Sequence, residues 1–446
     1  MIMGSHSKQV RVLRLASAVI GVVLAGVTVT PASAASVRDR QWYLDAMHAE
    51  QMWKTSTGKG ITVAIIDTGI DSDLADLRGQ VLPGKDYSRS SGGEHTDYDG
   101  HGTSMGVLIA GTGAKGAATG SYGLAPGTKV LPIRLPYPNE HTRSGGNPDS
   151  YPTYMSKAIR YAADSDAQVI NISQGSTDNS PELTKAVAYA LSKGKLIFAG
   201  VGNTGAGANE LEYPAATPGV VGVGAIDKDL KKTSESQSGP QVDVVAPGAR
   251  MIAACTGKTG VCESHGTSDA SALASASAAL IWSKHPDWTN NQVLRVLLNT
   301  ASGPVSGKKR TDDIGYGAVR PRIALTDPGD PGPANEYPLP DYKAVGSAAA
   351  PGGASTRPST DASAAPAAAS SNDESSTLPW ILAGAGGLLL VGVGGVVLAV
   401  RSRKRRAALA APMSSTQQHG WAQPPNPGHQ QGQQWPYQDT NHTGQP

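Results

Sequence analysis

The stretch VAIIDTGID, residues Val63–Asp71, is an apolar run that ends in Asp-Thr-Gly. Four apolar residues in a row predict a strand that is covered on both faces, as the strands of a parallel sheet are. Asp67 follows directly, so its carboxylate is expected at the end of that strand. The stretch therefore predicts a buried strand and a candidate functional carboxylate beside it.

Further apolar runs follow and alternate with helical patterns through a globular region, residues 59–326. The predicted strands are Ile61–Ile66, Val130–Ile133, Gln168–Ile172, Leu196–Val201, Val220–Ala225 and Val242–Ala246. The predicted helices are Met155–Ala163, Pro181–Leu191 and Thr267–Trp282. This alternation indicates the α/β fold class with a mostly parallel sheet.

The carboxylate of Asp67 fits two unrelated hydrolytic chemistries. In the first, two aspartates share one proton and activate a water molecule. In the second, a single aspartate orients a histidine that serves a serine nucleophile. The chain contains no second Asp-Thr-Gly or Asp-Ser-Gly, which argues against the first chemistry. A base and a nucleophile are therefore expected downstream.

Three downstream residues are candidates for the remaining roles. His101 stands between two glycines at the start of an apolar helical run. Asn203 follows a predicted strand, and its amide can donate to a developing oxyanion, although Asn in a turn is common. Ser268 opens an Ala-rich helix whose positive end favours negative charge, although a helix cap is the commoner role for such a serine. Their order, Asp-His-Asn-Ser, favours catalysis over four separate structural roles.

The motifs around these residues resemble the subtilisin-like (S8 family) serine peptidases. The matching segments are DGHGTSMGVLIAG, YGLAPGTKVLPIR, VINISQGS, VGNTG, YPAATPGVVGVGA and HGTSDAS. The resemblance implies a three-layer fold, with Asp67, His101 and Ser268 as a catalytic triad and Asn203 in the oxyanion hole. It also implies a substrate-binding set of Ser173, Gln174, Gly175, Gly200, Val201 and Gly202.

The chain departs from the family pattern next to the nucleophile. Asp269 follows Ser268, where an apolar residue is usual, and Ala272 takes the place of a proline. Gln174 replaces the commoner leucine. No catalytic group is lost, but a carboxylate that faced the site would oppose oxyanion formation and slow turnover.

The N-terminal residues 1–34 have the pattern of a secretory signal peptide. Lys8, Arg11 and Arg14 precede an apolar run over residues 15–29, and Ala32–Ala34 fits a small-residue cleavage site. An uncleaved membrane anchor is the alternative, which the shortness of the apolar run disfavours. Residues 35–58 then form a short N-terminal extension.

The C-terminal part predicts a membrane anchor. Residues 327–377 are rich in Pro, Ala and Ser and are typical of a linker. Residues 378–400 carry no charge and are long enough to cross a bilayer as a transmembrane helix. The basic cluster that opens residues 401–446 favours a cytoplasmic tail. We therefore expect a single-pass protein of the cell membrane with its globular domain outside.

This organisation is most similar to the mycosins, membrane-anchored subtilases associated with type VII secretion. The extension RQWYLDAMHAEQMWKTSTGKG adds to the likeness. The resemblance implies an extracellular serine endopeptidase with a polypeptide substrate and type VII membrane components as partners. The alternative is a catalytically weak structural partner that stabilises a membrane secretion complex.

Charge and cysteine content narrow the remaining ligand classes. A net charge of +2 offers no basic field, so nucleic acid is not an expected partner. Cys255 and Cys262 lie in the exported part, where a disulfide is favoured over two free thiols. No cofactor or metal site is expected, and calcium lacks support because Asp71, Asp73 and Asp76 read as a solvated loop.

Overall fold

The computed structural model describes residues 35–136, 150–257 and 259–343, and these residues contain a seven-stranded parallel sheet. Its strands are β1 (Thr62–Asp67), β2 (Lys85–Asp86), β3 (Lys129–Arg134), β4 (Val169–Ile172), β5 (Leu196–Gly200), β6 (Val221–Ile226) and β7 (Val244–Pro247). Their spatial order is β2-β3-β1-β4-β5-β6-β7. The prediction of an α/β fold with a mostly parallel sheet is confirmed.

Helices and one hairpin complete the described part of the chain. The helices are α1 (Val37–Arg40), α2 (Trp42–Ala46), α3 (Ala49–Trp53), α4 (His101–Ala110), α5 (Tyr151–Asp164), α6 (Pro181–Ser192), α7 (Thr267–Lys284), α8 (Asn290–Asn299) and α9 (Pro321–Thr326). The antiparallel hairpin consists of β8 (Met251–Ala254) and β9 (Val261–Ser264). A disulfide between Cys255 and Cys262, with sulfurs 2.04 Å apart, joins its two strands near the turn.

The sheet separates two apolar cores. Val63 and Ile65 of β1 belong to one core, and Ala64 and Ile66 belong to the other, because successive side chains of a strand point to opposite faces. Helices α4, α7 and α8 cover the first face, and α5 and α6 cover the second. This burial on both faces is the reason that the strands read as continuous apolar runs.

The predicted elements are present with small shifts at their ends. All six predicted strands occur within two residues of their expected limits. Helix α5 begins earlier than expected, at Tyr151, because Ser150 is extended at its N-cap and Pro152 suits a first helical turn. The two-residue strand β2 was not predicted, since so short a segment carries no periodic signal.

The N-terminal extension packs into the domain as the three short helices α1, α2 and α3. Tyr43 and Leu44 are fully buried. The Tyr43 hydroxyl donates to the carbonyl of Ile252 at 3.1 Å, and the indole of Trp42 donates to the carbonyl of Ala249 at 3.0 Å. The extension therefore forms part of the core on the α7 face of the sheet.

The start of the predicted linker also packs against the domain. Leu339 is buried, and the hydroxyl of Tyr337 donates to the carbonyl of Gly219 at 2.5 Å. Arg295 of α8 donates to the carbonyls of Pro331 and Pro333. Residues 327–343 lack regular structure because of their proline and glycine content, yet these apolar and polar anchors hold them on the surface of the domain.

Several predicted segments fall outside the described residues. They are the signal peptide at 1–34, the rest of the linker, the transmembrane helix at 378–400 and the tail at 401–446. Within the ranges that are described, none of the helices has both the length and the apolar character needed to cross a bilayer.

Candidate active site

The candidate site lies at the carboxyl edge of the sheet, on both sides of β1. From β1 the chain passes to β2 and β3 on one side, and then to β4 on the other, so the strand order reverses at β1. A reversal of this kind opens a crevice beyond the carboxyl ends of the strands. Asp67 ends β1, Ser173 follows β4, and Gly200 ends β5, so all three lie along this crevice.

Asp67 and His101 are joined by a direct hydrogen bond. Nδ1 of His101 donates to Oδ1 of Asp67 at 2.7 Å, and Asp67 is 1% exposed. His101 is the first residue of α4, and the next residue, Gly102, faces the end of β1. A Cβ atom at Gly102 would lie 2.2 Å from the carbonyl oxygen of Gly69, so only glycine lets the helix approach this closely.

Asp97 fixes the beginning of α4. Its Oδ1 accepts from the hydroxyl of Thr68 and the N–H of Gly100, and its Oδ2 accepts from the N–H of Thr103, each at 2.8 Å. These bonds satisfy backbone donors that the first turn of a helix leaves free. Asp97 was not predicted, although an Asp shortly before a helix start is a known capping signal.

The charge of Asp67 makes the imidazole of His101 more basic. Burial alone would lower the pKa of His101, but the charge and hydrogen bond of Asp67 raise it above its usual value, with smaller contributions from Asp269 and Asp99. Because Nδ1 is bound to Asp67, Nε2 is the ring nitrogen left to exchange a proton with a ligand. His101 therefore has the orientation and the basicity of a general base.

Asn171 positions the helix that carries Ser268. This buried residue of β4 accepts through Oδ1 from the hydroxyls of Ser271 and Ser275, at 2.9 Å and 3.1 Å. Its Nδ2 donates to the hydroxyl of Ser173 at 3.0 Å. Residues 268, 271 and 275 share one helix face, so Asn171 fixes that face of α7 against the sheet. This role of Asn171 was not predicted, although an amide within an apolar strand is a recognisable signal.

The hydroxyl of Ser268 does not donate to His101 in this structure. It donates to the carbonyl of Ser173 at 3.0 Å. His101 and Ser268 line the same pocket, so the structure brings them close together, and the described hydrogen bond of the Ser268 hydroxyl goes to Ser173. Rotation about the Cα–Cβ bond of Ser268 redirects its hydroxyl.

Asn203 is oriented to donate into the pocket. Its Oδ1 accepts from the N–H of Thr267 at 2.9 Å and from the Thr267 hydroxyl at 3.1 Å. In the described part of the chain, its Nδ2 has no acceptor. The N–H of Ser268, in the first turn of α7, has no partner within the helix. Asn203 and Ser268 both line the pocket, so these two donors are available to a bound ligand.

A pocket of about 200 Å³ connects these groups. Its lining consists of Thr68, His101, Ser173, Gln174, Gly175, Gly200, Gly202, Asn203, Glu212, Thr267 and Ser268. Five of the six residues predicted to bind substrate are present. The sixth, Val201, does not line the pocket, because its side chain is fully buried in the core between the sheet and α6. Glu212 was not predicted.

Asp269 lies behind the site rather than in it. It is 1% exposed, does not line the pocket, and accepts from the hydroxyl of Ser264 at 2.5 Å. Burial raises the pKa of Asp269 to about 6, against the opposing effect of the Ser264 hydrogen bond and the charge of His101. The carboxylate therefore acts on His101 from the protein side and does not face an oxyanion.

One of the three aspartates considered for calcium has different surroundings from those expected, whereas Asp73 is exposed as expected. Asp76 was expected in a solvated loop, but it is fully buried. Its carboxylate accepts from the N–H groups of Lys115 and Ser121 at 2.8 Å and 3.0 Å, so it organises a neighbouring loop. Over the described ranges, no group of three or more His, Cys, Asp or Glu side chains is arranged to hold a metal ion.

Comparison with known proteins finds one family and several similar structures. The subtilase family profile matches residues 58–337. The major intracellular serine protease of Bacillus subtilis (strain 168) is 32% identical over 222 residues, which are 48% of this chain and 66% of that protein. The chain thus spans slightly less than two thirds of the length of this curated relative.

The similar solved structures include secretion-associated proteases. MycP1 from Mycobacterium smegmatis is 29% identical with a TM-score of 0.57, covering 69% of this chain and 90% of that one. A second structure, described as the serine protease MycP1, an essential component of the type VII (ESX-1) secretion system, is 31% identical with a TM-score of 0.55, covering 67% and 91%. A chain of the periplasmic assembly from the ESX-5 inner membrane complex is 25% identical with a TM-score of 0.57, covering 69% and 89%.

Proposed function

The chain belongs to the subtilase family, and from this membership we propose that it is a serine endopeptidase that cleaves polypeptides outside the cytoplasm while anchored in the cell membrane. The observation that carries the proposal is the hydrogen bond between Asp67 and His101 beside a pocket that Ser268 also lines. The similarity to MycP1 and to the ESX-5 assembly supports the further proposal that its partners are components of a type VII secretion system.

The proposed reaction follows from the positions of four groups. Ser268 Oγ attacks the scissile carbonyl, and Nε2 of His101 takes its proton as the new C–O bond forms. Asp67 stabilises the resulting imidazolium, while Asn203 Nδ2 and the Ser268 N–H hold the oxyanion. The C–N bond then breaks, and His101 gives its proton to the leaving amine. Water removes the acyl group by the same steps in reverse.

Labelling of the active serine tests the hydrolytic proposal. A fluorophosphonate probe should label the detergent-solubilised protein at Ser268, and Ser268→Ala should abolish the label. His101→Ala should also lose it, because no base then activates the hydroxyl. Ser192→Ala, which changes an exposed serine at the end of α6, is the matched control and should still be labelled. Absence of label on both the native protein and Ser268→Ala would contradict an active enzyme and favour the structural alternative.

Fractionation of the full chain tests the proposed anchor. The full-length protein should sediment with membranes, whereas a chain that stops at Thr377 should be released. Protease added to intact cells should reach the globular domain and leave the tail after Arg401 protected. Pull-down from membranes with Ser268→Ala then separates the two roles, because partners that are retained without the nucleophile bind independently of cleavage.

A further inference from the structure

Glu212 is the one acidic side chain in the lining of the described pocket. It shares that lining with His101, Asn203 and Ser268, the groups proposed to act on the scissile bond. It is half-buried and belongs to a loop that precedes β6. A carboxylate so close to the reacting groups affects which substrates enter, whether or not it takes part in the chemistry.

The carboxylate of Glu212 lies between two backbone segments that flank the pocket. A Cβ atom at Gly175 would lie 2.6 Å from its Oε2, and one at Gly202 would lie 2.5 Å from its Oε1. The position is anchored by the next residue, since Tyr213 and Ser176 exchange backbone hydrogen bonds of 2.8 Å and 3.1 Å. The backbone bonds of Tyr213 therefore fix the position of the carboxylate, and the absence of side chains at Gly175 and Gly202 gives it space.

The charge of Glu212 has no cationic counterpart in the part of the chain that the structure describes. Its one described hydrogen bond comes from the amide of Gln237, at 2.9 Å to Oε1. Burial raises the pKa of Glu212, against the opposing effect of that hydrogen bond. A partly buried charge is unfavourable unless it is paired, so a cation supplied by a ligand would stabilise it.

A second polar group in the same pocket is also unpaired among the described residues. Gln174 lines the pocket and is 8% exposed, yet neither its Oε1 nor its Nε2 has a hydrogen-bond partner there. A buried amide in this state indicates that the ligand brings polar atoms of its own. An apolar substrate side chain would leave both Gln174 and Glu212 unsatisfied.

An extended peptide bound along the pocket would direct one side chain at Glu212. A strand that added to the segments 173–175 and 200–202 would present its carbonyl to Ser268 and Asn203. The pocket beside Ser268 is lined by residues of both segments and by Glu212, so the residue that owns the scissile carbonyl would place its side chain beside Glu212. We propose that Glu212 selects Lys or Arg at this position of the substrate, an inference that rests on the proposed endopeptidase function.

Matched peptides test this selection directly. Four peptides should differ only at the residue before the scissile bond, which is Arg, Lys, citrulline or Leu. Because a hydrogen bond to a charged group is strong, kcat/KM for Arg should exceed that for citrulline, its neutral isostere, by about 10- to 100-fold. Glu212→Gln should reduce this ratio to about threefold or less. Glu235→Gln, which changes a glutamate outside the pocket, should leave the ratio unchanged.

A binding measurement separates failure of this inference from failure of the proposed function. The Ser268→Ala variant cannot turn over, so titration with the Arg and citrulline peptides reports binding alone. Tighter binding of the Arg peptide, lost in Ser268→Ala/Glu212→Gln, supports the role of Glu212 even if no cleavage is observed. Equal binding of the two peptides, or equal kcat/KM in an enzyme that labels with fluorophosphonate, overturns it and leaves the endopeptidase proposal intact.

Discussion

At the scale of single residues, the imidazole of His101 is surrounded by three carboxylates of unequal influence. Asp67 binds it directly, Asp269 acts from the buried side, and Asp99 acts from the solvent. All three favour the imidazolium, and a general base must be neutral to accept a proton. The activity of the enzyme should therefore rise with pH at values above the usual pKa of histidine.

Replacement of Asp269 should shift this pH dependence. In Asp269→Asn, one negative charge near His101 is lost, so the imidazolium is less stable and the pKa of His101 falls. The acid limb of kcat/KM against pH should move to lower pH by up to about one unit. Asp99→Asn is the control and should shift it less, because solvent and salt screen an exposed charge. A shift toward higher pH would contradict the assigned position of Asp269.

Removal of the Asn203 amide should slow the chemical step. The donor binds an oxyanion that exists only in the transition state, so Asn203→Ala should lower kcat by about 10²–10³-fold with little change in KM. Thr267→Ala removes one of the two bonds that orient the amide and retains the backbone one, so its effect should be much smaller. A rise in KM alone would show that Asn203 binds substrate rather than the transition state.

Residues of the site differ in how visible they are in the sequence. Asp67, His101, Asn203 and Ser268 were named in advance because each stands in a short local pattern at the end of a strand or the start of a helix. Glu212 carries no such pattern. Glu212 lines the pocket because the loop before β6 packs against segments that are distant in the chain. This packing is visible only in the tertiary structure.

At the scale of secondary-structure elements, the junction of β4 with α7 depends on one amide. Asn171→Ala would leave the buried hydroxyls of Ser271 and Ser275 without their acceptor. We expect a loss of about 2–4 kcal/mol in the free energy of unfolding, measured by denaturant titration. Ser275→Ala should lose less, since the bond from Ser271 remains. A loss of labelling at Ser268 in folded Asn171→Ala would further indicate that the helix has shifted.

The contact between β6 and β7 contains a buried carboxyl group whose titration should affect stability. Burial raises the pKa of Asp243 to about 8, against the opposing hydrogen bond from the N–H of Gly222. The folded protein thus holds this proton more tightly than the unfolded chain does. The stability that the protonated group contributes is fully present below the unfolded pKa and is lost as pH rises through about 8.

Asp243→Asn should therefore become more stable than the native protein as pH rises. The amide can still accept from Gly222 and has no charge to bury. The melting temperatures of the two proteins should be close at about pH 5 and differ by about 5 °C at about pH 9. Asp229→Asn, which changes an exposed carboxylate, should show no such trend. A difference that is equal at both pH values would contradict the titration of Asp243.

The strands and helices that were predicted are those whose burial requires a recognisable pattern in the sequence. Strands buried on both faces must be apolar throughout, so a continuous apolar run in the sequence predicts them. Helices α1, α2 and α3 are too short for a periodic pattern, and they form because tertiary contacts fix them. Helix α8 was not predicted, although its sequence carries a signal for a helix start, the capping box formed by Thr289 and Gln292.

At the scale of the whole molecule, the N-terminal extension packs in the core near Asp269, on the side of the site away from the pocket. Tyr43 is buried close enough to Asp269 for that charge to add to the effect of burial, which raises the pKa of the tyrosine. The same Asp269 acts on His101. The charge of Asp269, in the first turn of α7, thus acts both on Tyr43 of α2 and on the proposed general base.

Truncation of Tyr43 should weaken the whole domain. Tyr43→Ala should lower the free energy of unfolding by about 3–5 kcal/mol, as for other large buried side chains. Tyr43→Phe keeps the ring and removes the hydroxyl, which donates to the carbonyl of Ile252 and accepts from the amide of Gln41. Its loss should therefore be about 1–3 kcal/mol. Thermal and denaturant unfolding of both variants measure the difference. Native stability of Tyr43→Ala would contradict the packing of the extension.

The packing of the extension indicates whether its removal would activate the protease. None of its described residues, 35–58, lines the pocket, and its apolar side chains complete the core. Removal of residues 35–58 would therefore lower the stability of the domain and would not uncover the pocket. This segment does not act as an inhibitor whose removal activates the enzyme. The moment of cleavage would then be decided by the arrival of an accessible polypeptide at the cleft.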